Sequence, residues 1–140
     1  MDRRGFAASC VTSAIGLLME RDGACASRPI SRTHVGHHHP EPRAGITAVK
    51  LPPANDLREY PEAMPVFEMV RRIPRIIDGI RCYCGCAQSP DFYSLLSCFE
   101  GAAMAKRCPH CQAQARLAFF NFERGKSLRE IRAAVDAKFA

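Results

Sequence analysis

The 140-residue chain contains no tryptophan and only three tyrosines, so its aromatic material is mostly eight phenylalanines. Its core therefore has to be built from Phe, Leu, Ile and Ala. It has no glycine-rich phosphate loop, no nucleophile motif and no paired carboxylates. Ordinary hydrolase and transferase chemistry is thus excluded as a reading, and the chain is not expected to be an enzyme. Long hydrophobic runs are also missing: the longest uncharged stretch, Phe6 to Met19, is about 14 residues, too short to cross the ~30 Å hydrocarbon core as a helix. Against these absences stand eight cysteines, far above ordinary usage for this length. They restrict the reading to metal, disulfide or redox chemistry. The formal net charge of +6 is not taken as a nucleic-acid signal, because thiolates formed on metal binding cancel part of it.

Residues 1–26 read as an export signal. Arg3-Arg4-Gly5-Phe6 opens the apolar run, and Ala24-Cys25-Ala26 supplies a small-x-small cleavage site. The Arg-Arg-x-Phe start is twin-arginine-like, a route that carries folded proteins and so allows metal loading before the thiols meet an oxidising compartment. The expected location is the periplasm or cell envelope, with membrane contact only through the leader or through lipidation at Cys25. Asp22, where a lipobox wants an aliphatic residue, disfavours lipidation. Removing the leader removes Cys10 and Cys25, leaving six cysteines.

Residues 27–54 carry Pro29, Pro40, Pro42, Pro52 and Pro53 among Arg, Ser, Gly and His, with no apolar period. They read as an extended, largely disordered linker. The His34 to His39 cluster can capture a divalent ion or can simply be a solvated polar tract.

Residues 55–140 read as a helical, cysteine-rich domain. Val66, Met69, Val70 and Ile73 form one stripe, started by Pro65 and stopped by Pro74. Ile76 to Ile80 follows as an apolar connector. A second helix is expected from Ser89-Pro90 to Gly101, with Phe92, Leu95, Leu96 and Phe99 as its stripe and Cys98 on its edge. A third runs from Cys108 through Cys111, Ala115, Ala118 and Phe122, widened by Leu117 and Phe119, to Gly125. A last one starts at the Ser127 to Glu130 capping box and buries Leu128, Ile131, Val135 and Phe139. The expected fold is mainly α: a small bundle of about four helices with a cysteine-rich loop pinned between them.

The chemistry centres on Cys82-Tyr83-Cys84-Gly85-Cys86, completed by Cys98 and by Cys108-Pro109-His110-Cys111. In an extended segment, alternate side chains share an edge about 6.5 Å apart. A tetrahedral ion with Zn–S near 2.3 Å needs sulfurs roughly 4 Å apart, so the loop has to curl, and Gly85 permits this. Otherwise the thiolates bridge several ions, which suits Cu(I). Cys108 and Cys111 fall on one face of a helix start, where thiolates are favoured. His110 is a possible nitrogen ligand, though an exposed role fits it better. Cu(I) is the first expected metal and Zn(II) the second. The alternatives are an iron–sulfur cluster on four thiols, structural disulfides, or thiol–disulfide exchange through Cys108 and Cys111.

Arg81 to Cys86, Ser94-Leu95 with Cys98-Phe99, Cys108-x-x-Cys111, and Gly125-x-Ser127 with Glu130-Ile131-Arg132 together resemble the bacterial PCYCGC-motif proteins. The resemblance covers the C-terminal half of the chain. It implies a small exported, often lipid-anchored envelope protein suspected of binding metal, with another envelope metal-handling protein as a possible partner and no nucleic acid. Arg81 stands where the family's proline is expected, and Phe92-Tyr93 where a histidine commonly precedes the Ser-Leu pair. If histidines are ligands in the family, this chain relies on sulfur alone.

Overall fold

The computed structural model describes residues 38–140, and all that follows concerns them. The export signal, Cys25, His34 and His37 lie outside the described residues. Four α-helices are present, with no strand among the described residues: α1 (Met64–Arg72), α2 (Pro74–Asp78), α3 (Pro109–Glu123) and α4 (Leu128–Phe139). None is long and apolar enough to cross a membrane. The fold class is the expected one, but its second helix is a different segment.

Pro74 does not merely stop α1; it starts α2. Ile73, forced off the helical region ahead of proline, turns the chain (φ −131°, ψ 43°), and Pro74 takes the first position of the new helix. Ile76 to Asp78, expected as a connector, are therefore helical. The stretch Ser89–Gly101, expected as a helix, is instead irregular, apart from a 3-10 turn at Leu96–Cys98. The cause is competition for its backbone donors. Leu95 N–H donates to Ile80 O at 2.7 Å, while Tyr93 N–H and Ser94 N–H donate to Ser97 Oγ. A serine that offers the backbone a local acceptor favours turns over helix.

α3 runs through the middle, against α1, α2 and α4. It buries Cys111, Gln114, Ala115, Ala118 and Phe119, whereas Phe122 is 40% exposed and only partly fulfils its expected core role. α1 contributes Val66, Phe67 and Val70, and Phe67 meets Phe99 edge to face at 4.9 Å. α4 begins with the predicted capping box: Ser127 Oγ accepts Glu130 N–H, and Glu130 Oε2 accepts Ser127 N–H at 2.8 Å. Ile131 and Val135 are its fully buried residues, with Leu128 and Phe139 partly covered. Where α2 ends, Gly79 allows a close approach: a Cβ there would lie 2.8 Å from Leu128 Cδ2 and 3.0 Å from Pro42 Cγ.

Residues 38–54, expected to be a disordered spacer, form a strap against the helices. Arg132 on α4 holds it by donating Nη2–H to Pro40 O at 2.7 Å and Nε–H to Gly79 O at 2.8 Å. Arg43 reaches the fully buried Asp78, pairing at 2.7 Å, and its own backbone N–H adds a bond at 2.8 Å. Leu51 is buried in the core. Proline-rich sequence can be ordered in this way because prolines lose little freedom on docking and the polar backbone finds side-chain partners.

Asp78 also accepts from Ser94 Oγ at 2.7 Å, so one carboxylate joins the strap, α2 and the irregular stretch. Burial pushes its carboxyl up, but the bonds from Arg43 and Ser94 outweigh this and hold it below its ordinary value of 3.8. A depressed folded value means the stabilisation is complete above the ordinary value and drains away as the pH falls through the folded one. Asp78→Ala is expected to destabilise the protein by about 3 kcal/mol near neutral pH, since it leaves the half-buried Arg43 with only the longer Glu100 ion pair at 3.7 Å and strips the buried Ser94 hydroxyl of its acceptor. Urea unfolding measures this; a loss under about 1 kcal/mol would show that the pair is dispensable.

Candidate metal centre

Three separate pieces of chain bring the cysteines together. The first is the loop from Arg81 to Cys86, which curls as its spacing requires. Gly85 takes φ +92°, a conformation that side-chain-bearing residues rarely adopt, and the 3-10 turn Cys86–Gln88 follows. The curl shortens the separations far below those of an extended strand: Cys82 Sγ lies 3.1 Å from Cys84 Sγ, which lies 2.9 Å from Cys86 Sγ. The second piece is the first turn of α3. Cys108 is its N-cap, its sulfur accepting the Cys111 N–H at 3.5 Å. That turn sets Cys111 Sγ 3.7 Å from Cys82 and 3.5 Å from Cys84. The third is the 3-10 turn that carries Cys98, buried between Leu95, Leu96 and Phe99.

The sulfurs of Cys82, Cys84, Cys98 and Cys111 all lie within 4.8 Å of one another, so this cysteine cluster can hold a metal ion. Tetrahedral Zn–S bonds near 2.3 Å imply edges of about 3.8 Å, close to the separations found. Cys82, Cys98 and Cys111 are buried, whereas Cys84, Cys86 and Cys108 are half-buried. All six are free thiols, with no disulfide among the described residues. Cys86 and Cys108 flank the four without belonging to the mutually close group. His110 is exposed on α3 and takes no part in the group; its carbonyl instead accepts from Gln114 Nε2 at 3.1 Å.

The cluster shares its protons unevenly. Hydrogen bonds from Cys111 first, then from Cys84 and Cys98, pull the Cys82 thiol far down. Those from Cys108 and Cys111 bring Cys84 to about 3. Cys111 is pushed up because its proton is held against Cys108, Cys82 and Cys84. This reverses the expectation that a helix start would favour its thiolate: the hydrogen bonds among the sulfurs, with burial, keep the proton on Cys111. The Cys111 bond draws Cys98 down, but its bonds to Cys82 and Cys84, and burial, outweigh it and leave Cys98 raised. Burial, followed by Cys84, pushes Cys86 up to about 12.

A layer of polar groups behind the sulfurs was not legible in the cysteine spacing. Gln114, wholly buried, accepts Tyr83 N–H at 3.0 Å and places Nε2 4.0 Å from Cys82 Sγ. It joins the cysteine loop to α3. Its place three residues beyond Cys111 on the buried face was readable, but the polar contact was not. Asp136 Oδ1 accepts Tyr83 O–H at 2.6 Å and lies 2.8 Å from His39 Nε2. His39 Nδ1 accepts Arg81 N–H at 3.0 Å, which places the ring proton on Nε2, donated to Asp136. Both nitrogens of His39 are thus engaged in holding the loop, so the metal-capture reading of the histidine tract does not extend to it.

No family model matches the chain, and neither curated proteins nor solved structures yield a match.

Two predictions follow from this geometry. The lowering of Cys84 to about 3 and the raising of Cys86, similarly covered, to about 12 favour a Cys84 thiolate and a Cys86 thiol at pH 7 in the metal-free protein. Limiting iodoacetamide should mark Cys84 first, with Cys86 reacting only toward strongly alkaline pH; peptide mapping that found Cys86 first would contradict the proton distribution. Gln114→Leu, which leaves Tyr83 N–H unpaired, should cost about 1–3 kcal/mol of stability in the metal-free protein, measured by urea unfolding.

Proposed function

We propose that this chain is an exported metal-binding protein that sequesters or delivers a soft metal ion, Cu(I) first and Zn(II) second, in the bacterial cell envelope. The observation that carries the reading is the convergence of four sulfurs within 4.8 Å, three of them buried. Unpartnered thiols do not need to meet so closely to fill a core, since cysteine otherwise packs as a small hydrophobe. Pure sulfur coordination with no histidine in the group selects soft or borderline ions.

Cys82, Cys84 and Cys111 form a triangle with sides of 3.1 to 3.7 Å, which suits three-coordinate Cu(I). Adding Cys98 gives the four-sulfur set that suits Zn(II). An iron–sulfur cluster is the weaker fit, because its thiolates sit on different irons and are spread by the inorganic core between them. Disulfide stapling is disfavoured by four thiols that meet as a group rather than in pairs. Likeness to the PCYCGC-motif proteins and the twin-arginine-like leader support export; with Phe92-Tyr93 where that family commonly has a histidine, sulfur is the remaining donor.

The test is elemental analysis of the full chain purified anaerobically with copper and zinc supplied. Bound copper or zinc near stoichiometric amounts is expected; persistently metal-free protein would falsify the proposal. Cys82→Ser with Cys84→Ser, and Cys108→Ser with Cys111→Ser, should each weaken binding by more than the roughly 100-fold that loss of a supporting hydrogen bond can cost. Unchanged binding in the second pair would confine the site to the loop.

A further inference from the structure

A purely structural four-thiolate site uses all its sulfurs and is closed to incoming ligands. Here two thiols are left over beside the close group, and they are not equivalent. Cys108 is engaged as the cap of α3, accepting the Cys111 N–H, and is followed by Pro109. Cys86 has no such duty: its sulfur's hydrogen-bonding neighbour is Cys84, at 2.9 Å. Cys82 is 2% exposed, and Cys98 and Cys111 are fully covered, so no carrier can reach an ion through them. Among the described residues, the turn Cys84-Gly85-Cys86 is an accessible side, where Gly85 is exposed and open space lies where a Cβ would stand.

We infer that Cys86 is an exchange ligand, the thiol through which an ion held by a thiolate carrier is handed to the buried group by way of Cys84. The inference rests on the metal-binding reading proposed above. Thiolate-bound d10 ions exchange associatively, so an incoming sulfur binds before an old one leaves. For Cu(I) held between two carrier thiolates, the Cys86 sulfur attacks copper, forming one Cu–S bond while one carrier Cu–S bond breaks. The Cys86 proton passes to the departing thiolate. Cys84 sulfur then binds the same ion, the second carrier bond breaks, and that thiolate takes a proton given up by Cys111 as its sulfur joins the ion. Finally the Cys82 sulfur binds the ion, completing the three-sulfur set, the Cys86–copper bond breaks, and Cys86 regains a proton from solvent. Copper stays Cu(I) throughout, so no oxidant or reductant is needed.

The experiment uses the full chain, reduced and anaerobic, mixed in a stopped-flow instrument with Cu(I)–glutathione, with loading followed in the Cu(I)–thiolate ultraviolet band. Equilibrium affinity is measured separately by competition with bicinchoninate. Cys86→Ser should slow loading at least about tenfold while shifting affinity by less than about threefold. Cys111→Ser, which removes one corner of the three-sulfur set, should show the opposite split, weakening affinity more than it slows loading. Two results would overturn the exchange role: Cys86→Ser loading at the wild-type rate, or Cys86→Ser losing affinity in proportion to rate, which would make Cys86 a resident ligand. Wild-type protein that takes no Cu(I) from either source would instead overturn the metal-binding reading itself, so the two failures are distinguishable.

Discussion

Four sulfurs held within 4.8 Å set the terms for everything around them. Were all four ionised, each like-charged pair at such a separation would repel by about 4 kcal/mol even at a surface-like effective dielectric. Hydrogen bonds among the sulfurs relieve this in the metal-free protein, lowering the pKa of Cys82 and Cys84 and raising that of Cys98 and Cys111. A bound cation would do the same by displacing the thiol protons. Either way the scaffold has to hold the three contributing segments together, and it does so with ordinary core: Ile80 before the loop, Leu95, Leu96 and Phe99 around Cys98, and Ala115 and Ala118 behind Cys111. Fully burying each large side chain contributes about 1.5–3 kcal/mol, so the core readily outweighs residual repulsion among the sulfurs.

Polar contacts then fix what hydrophobic burial leaves loose. Burial specifies that the loop lies on α3 but not its register. Gln114 supplies the register by accepting a single backbone N–H, that of Tyr83, between two of the cysteines. From the other side Asp136 takes the Tyr83 hydroxyl and the His39 ring, and His39 takes the Arg81 N–H. The cysteine loop is therefore clamped between α3, α4 and the strap. The strap is held in turn by Arg132 and by the Arg43–Asp78 pair. A change at Arg43 or Asp78, which touch no sulfur, would thus be transmitted to the loop through the strap.

What could be read in the sequence follows how local the signals are. α1, α3 and α4 were legible because each carries its own periodic stripe and boundary: Pro65 for α1, Pro109 and Gly125 for α3, and the Ser127–Glu130 box for α4. The curl of the cysteine loop was legible from the mismatch between strand spacing and sulfur geometry, with Gly85 as its means. The stretch Ser89–Gly101 misled because cap, proline and apolar spacing all point to helix, while the decisive interactions are tertiary: Leu95 N–H to Ile80 O, and Ser94 to Asp78. Cys98, expected on the edge of that helix, is carried by the 3-10 turn instead and still lies within 4.8 Å of Cys82, Cys84 and Cys111. The strap was invisible for the same reason as the false helix. Its partners, Asp78, Gly79 and Arg132, lie far along the chain and leave no pattern within the strap itself.

The asymmetry of the sulfurs is what separates a carrier from a staple on the proposed reading. Deep burial of Cys82, Cys98 and Cys111 excludes water and competing ligands and so slows loss of an ion. The same burial would slow capture equally, unless one edge were left open. That edge is the Cys84–Gly85–Cys86 turn, and its backbone conformation is the one that Gly85 alone makes inexpensive. A side chain at position 85 would strain the turn at φ +92° even though space is free for it, and would shift Cys86 relative to Cys84. The glycine therefore does two things at once. It folds the loop tightly enough for Cys82 and Cys84 to join Cys111, and it presents Cys86 at an accessible side of the buried sulfurs.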